Sequence, residues 1–115
     1  MSEEILVGNV MRHDPERGYF LTVYDHRPET IEFMRQNMLQ GGGPTWMGLI
    51  IAAMKAESPN TLTSLRFDDS SDEVLVSSNS KAALTLVQNY VSILMTDSDF
   101  MGSCITTARR DGYME

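Results

Sequence analysis

Basic residues are scarce in this 115-residue chain: nine Lys and Arg stand against sixteen Asp and Glu, a formal charge of -7 at pH 7. Phosphate recognition needs a basic face, so the balance argues against nucleic acid as a partner. A basic protein partner, or simple solubility, fits it better. Cysteine is nearly absent, and the single Cys104 excludes an internal disulfide and a Cys-rich zinc site while agreeing with a reducing compartment. No histidine neighbours it in sequence, so it reads as a buried helical thiol rather than a nucleophile. Long apolar runs are missing too. The opening "MSEEILVGNV" is acidic where a secretory signal is basic, and its apolar stretch is too short for a signal core or a membrane span. The expectation is a cytoplasmic chain with no membrane partner.

Catalytic signatures are also wanting. The two histidines, His13 and His26, fall in a turn and beside Asp25 near a helix start, positions typical of exposed loop residues. No Ser-His-Asp elbow, HExxH helix or Cys-His pairing occurs, so no enzyme, metal or cofactor is expected.

What is present is a globular composition, with 42% hydrophobic and 22% charged residues, in a length that suits one domain, residues 1–115. Ile5 to Val10 and Tyr19 to Asp25 read as a strand pair turned by "HDPERG". Asp25 can cap a following helix and Pro28 suits its first turn, with Ile31, Phe33, Met34 and Met38 at helical spacing through Leu39, where glycines end it. A second helix starts near Thr45 as N-cap and runs to Met54, apolar on most of its circumference, before "ESPN" stops it. Strands at Ser64–Asp68 and Glu73–Ser77 flank the turn "DDSSD". Helices from Ser80 to Met95 and from Ser98 to Arg110 complete the chain.

The order is strand, strand, helix, helix, repeated once. Setting "VYDHRPETIEFMRQNM" over "VSSNSKAALTLVQNYV" matches Ile31 with Leu84, Met34 with Val87 and Met38 with Val91, a likeness of pattern rather than identity. The architecture expected is α+β, a four-stranded mainly antiparallel sheet covered by about four helices, with a ββαα pseudo-repeat.

The stretch "QGGGPTWMGLIIAAM", Gln40 to Met54, invites a phosphate-loop reading. A Walker loop needs a lysine and a hydroxyl residue after its last glycine, following a strand; here the glycines follow a helix and precede Pro44, Thr45 and Trp46. A weaker reading keeps free amides at the helix start as an anion site. The better one is a joint that reverses the chain and fixes Trp46, as core or as an interface anchor. The acidic run Asp68, Asp69, Asp72 and Glu73 lacks the glycine and distal glutamate of a calcium loop. It reads as a solvated turn that can meet basic groups of a partner.

"GYFLTVY", then "GGGPTWMGLIIAAM", then "LTSLRFDDSSDEVLVSSNSKAALTLVQNYVSIL" resembles the immunity protein 51 family of bacterial polymorphic toxin systems. Gly43, Trp46, Phe67, Asp68 and Asp72 would be the matching positions, and the resemblance covers Gly18 to Leu94. Pro44 and Thr45 depart from it, standing where the family pattern has an aromatic and a serine. The resemblance implies a non-enzymatic inhibitor that binds a cognate toxin domain in the cytoplasm. The acidic balance fits a basic toxin such as a nuclease, and the residues' own reading makes Trp46, Asp68, Asp69, Asp72 and Glu73 the expected partner-binding residues. Two other classes stand beside it. Nine methionines suit an adaptable pocket, hence a small-molecule sensor, and an enzyme would use an anion site at Gly43 and Thr45. The apolar run Ile50 to Met54 also suggests a homodimer.

Overall fold

Alternating apolar residues on the first strands set the frame of the protein, which is described here from a computed structural model covering residues 6–114. Strand β1 (Val7–Asp14) and strand β2 (Gly18–Asp25) pair antiparallel from Val7 opposite Asp25 to Asp14 opposite Gly18. Of the expected first strand, Ile5 lies outside the described residues, and the strand runs four residues beyond Val10. The reason is register: the turn is only Pro15–Arg17, so "MRHD" stays paired with "GYFL". Helix α1 (Pro28–Gln36), helix α2 (Gly43–Glu57) and a single turn, α3 (Pro59–Leu62), follow. Strand β3 (Arg66–Asp69), strand β4 (Val74–Ser78), helix α4 (Lys81–Thr96) and helix α5 (Ser98–Asp111) complete the order.

The four strands form one antiparallel sheet in the order β1-β2-β4-β3. Exchanging the two hairpins, β1 for β3 and β2 for β4, returns the same order, so the strands obey the pseudo-repeat read from the pattern. The helices do not. α2, the second helix of the first half, and α4, the first of the second, lie on the sheet, while α5 packs on both of them. Ile31 and Met38 are exposed where their counterparts Leu84 and Val91 are fully buried, so of the three matched pairs only Met34 and Val87 share the core.

One face of the sheet carries the core. Leu21, Val23, Val74 and Val76 are fully buried beneath Trp46, Leu49, Ile50 and Met54 of α2 and Leu84, Val87 and Val91 of α4. Burial of such side chains stabilises by about 1.5–3 kcal/mol each. The methionines are spent here as well: Met34, Met54 and Met101 are buried, and Met11, Met47, Met95 and Met114 pack against the core. Ile50 and Met54 are fully buried inside the protein's own core, which removes the reason for expecting that run to seek a second copy. The helices cover this face alone, so the sheet's other face is uncovered among the described residues, and the shortest principal extent is 22 Å, about one sheet and one layer of helices.

Candidate functional site

The glycine stretch and the acidic turn, 30 residues apart in sequence, meet in space. Helix α1 does not end at the glycines. It closes earlier, where Leu39 N–H donates to Met34 O at 2.9 Å and Met38 N–H to Arg35 O at 3.0 Å. This is a Schellman closure with Met38 in the left-handed position, φ 60°, usually filled by glycine. Met38 is 83% exposed there.

The three glycines serve another purpose. Gly41 takes φ 84°, a conformation that favours glycine, and Gly42 is the N-cap of α2. A Cβ on Gly42 would stand 1.8 Å from Ser71 O, and one on Gly43 would stand 2.1 Å from Ser70 O and 2.3 Å from Glu73 O. The backbone of the β3–β4 turn rests directly on the start of α2, and only glycine admits that approach. Gly43 N–H donates to Ser71 O at 3.4 Å, so carbonyl dipoles of the turn face the positive end of the helix. The place considered for a bound anion is filled by the chain itself.

Thr45 is not the cap expected of it. It lies fully buried in the first turn of α2, where its Oγ1 accepts from Gly41 N–H at 3.1 Å. Trp46 N–H donates to Gly42 O at 3.1 Å, which ties the tryptophan to the glycine under Ser71. Trp46 itself is fully buried, and its indole N–H has no hydrogen-bond partner among the described residues. Of the two positions open to it, core or interface, it occupies the core.

The turn is fixed from a second side by a residue that sequence reasoning set aside. His26 is half-buried and its Nε2 lies 3.1 Å from Asp72 O; the carbonyl can only accept, so Nε2 carries the proton. The imidazole also stacks on Tyr24, with ring centroids 4.8 Å apart. Ser70 closes the turn by donating its N–H and its hydroxyl to Glu73 O, at 2.8 and 3.1 Å. His13, by contrast, is exposed and stacks on Tyr19.

Held this way, Asp68, Asp69, Asp72 and Glu73 are all exposed. None of their carboxylates makes an ion pair or hydrogen bond with a described residue, and no three His, Cys, Asp or Glu among the described residues group as a metal site. The contrast is Asp25, expected to cap α1. Its buried carboxylate accepts from Arg27 N–H, Arg27 Nε, Arg27 Nη2 and Thr30 Oγ1 at 2.7–3.1 Å, while Arg27 also donates to Met95 O. This network pins the ends of β2, α1 and α4 together, and the Asp25 hydrogen bonds hold the Arg27 guanidinium above its usual pKa.

The arrangement is an α+β fold that carries an exposed acidic turn, its backbone held against the start of α2 and its carboxylates unpaired among the described residues. The model of the Immunity protein 51 family matches residues 9–110, nearly the whole chain, and the chain belongs to that family. It is therefore an immunity protein, with toxin neutralisation as its role. Comparison with curated proteins and with solved structures found no match. No helix among the described residues is long and apolar enough to cross a membrane.

Proposed function

We propose that this immunity protein acts in the cytoplasm by binding one cognate toxin domain non-covalently, without catalysis, and that its partner presents a basic surface, as a nuclease does. The observation that carries this reading is the mounting of the acidic turn. Four unpaired carboxylates sit on a backbone locked against Gly42, Gly43 and His26, so they are ordered before the partner arrives and little entropy is lost on binding. Such carboxylates stand in for the phosphates a nuclease recognises, and their field speeds encounter with a basic surface. Trp46 contributes from beneath by fixing the start of α2.

The test is stoichiometry. The chain is titrated against the purified C-terminal domain of whatever large secreted protein is encoded beside it, with the toxin's own activity as readout. Binding without turnover predicts inhibition in proportion to the equivalents added, complete at one equivalent and constant in time below it. Progressive loss of toxin at a hundredth of an equivalent would mean catalysis and would overturn the proposal.

A further inference from the structure

The uncovered face of the sheet is polarised in a way the acidic composition does not suggest. Antiparallel pairing aligns Val10, Thr22, Leu75 and Asp68 in one row across the four strands, and Arg12, Phe20, Ser77 and Arg66 in the next. Arg17, in the β1–β2 turn, joins Arg66 and Phe20 around an indentation of about 520 Å³. At this end of the face, three of the chain's nine cationic side chains surround Phe20.

These arginines are unneutralised. Arg12, Arg17 and Arg66 are exposed and make no ion pair among the described residues, and Arg66 Nε reaches only Ser77 Oγ at 3.5 Å. Arg27, Arg35 and Arg110 are each paired with a carboxylate. With acids in surplus along the chain, a cluster left without partners beside an aromatic ring is a feature of binding surfaces, where arginine and aromatics are enriched. Asp68 stands one row on, level with Val10, Thr22 and Leu75, and lines the same indentation; the acidic turn lies beyond that row. Between the arginine row and the turn, Val10 is 61% exposed and Thr22 and Leu75 are half-buried.

We infer that this face docks the cognate toxin domain in a single orientation, with Arg12, Arg17 and Arg66 receiving an acidic patch of the toxin while the acidic turn at the other end, with Asp72 and Glu73, meets its basic surface. The inference rests on the toxin-neutralising reading and adds that the toxin's contact surface is bipolar rather than uniformly basic. Apolar centre and charged ends follow the layout of a non-obligate interface. Two strands of eight residues beside one of five and one of four give a platform of roughly 400 Å² in projection, about half of the ~800 Å² of accessible surface that one partner contributes to a standard complex. A second copy of the chain is the poorer occupant, because a stable homodimer interface is more apolar than one with Arg12, Arg66 and Asp68 exposed on it.

The experiment compares affinity for the same purified toxin domain among wild type, R17E/R66E and I31E/I93E, the last altering exposed residues of the helical layer. Circular dichroism melting confirms that each variant is folded. The face predicts on the order of 100-fold weaker binding for R17E/R66E and wild-type affinity for I31E/I93E. Unchanged affinity in R17E/R66E, with binding lost in D68K/D72K, overturns the inference and leaves the toxin reading standing. No binding by wild type sinks the toxin reading itself and the inference with it. A wild-type dimer in light scattering that R17E/R66E converts to monomer assigns the face to a second copy and also overturns it.

Discussion

Gly43 donates its amide to the carbonyl of Ser71 at 3.4 Å, and its bare α-carbon lies where any side chain would strike Ser70 O and Glu73 O. This contact joins the start of α2 to the acidic turn, so the geometry of the turn depends on a residue far from it in sequence.

Substituting Gly43 by Ala therefore has to move backbone, which is costlier than moving a flexible side chain. We expect Gly43→Ala to lower stability by about 2–3 kcal/mol and to weaken toxin binding further than its melting shift explains, because the turn is displaced. Gly102→Ala is the control, since a Cβ there meets nothing within 4 Å, and it should be neutral or slightly stabilising. Equal melting temperatures for the two variants would refute the contact.

The carboxylates of the turn act through charge rather than packing. Neutralising all four, as D68N/D69N/D72N/E73Q, should leave the melting temperature close to wild type, since the groups are exposed and unpaired. Association with the toxin domain should slow by roughly 10-fold or more at low salt, with a flatter dependence on ionic strength. Stopped-flow mixing across salt concentrations measures both.

Trp46 should behave as a core residue. Trp46→Ala is expected to cost about 3–5 kcal/mol, whereas Trp46→Phe should keep toxin binding, because the ring touches no solvent. As the only tryptophan, it reports by its own fluorescence: the native emission should resist acrylamide quenching, and chemical unfolding should abolish that protection.

Cys104 carries a pH signature. Burial, aided by the charge of Glu57, pushes its thiol from 9.0 up to about 11. The fold thus favours the protonated form, and between pH 9 and 11 the unfolded chain loses this proton first. Stability from this group is complete below pH 9 and falls as the pH rises toward 11. Cys104→Ala should flatten that part of the stability curve, and the wild-type thiol should resist iodoacetamide at pH 8 until denaturant is added.

Local signals account for the elements that were legible in the sequence. Ser80 accepts from Ala83 N–H at 3.1 Å as an N-cap, and Leu84, Val87, Val91 and Leu94 are buried at the spacing that marked α4. Ala, Leu and Val at helical periods needed no tertiary information. The single turn α3 escaped because four residues are too few for a period to register. The function of the glycines escaped for a different reason. Their constraint comes from Ser70, Ser71 and Glu73, and punctuation in a sequence says where the chain bends, not what rests against the bend. Thr45 looked like a cap for the same reason: its hydroxyl does bond a backbone amide, but that of Gly41, reached backwards from inside the helix. His26, placed among exposed loop residues, owes its role to a carbonyl 46 residues away. The arginine-flanked face became visible only once strand register aligned Arg12, Phe20 and Arg66.

Co-expression of this chain with the C-terminal domain of whatever large secreted protein is encoded beside it, scored by cell survival and by recovery of a complex, tests neutralisation most directly. The account predicts survival and a stable complex that co-purifies. Death of cells containing both folded proteins, with no complex recovered, would contradict it.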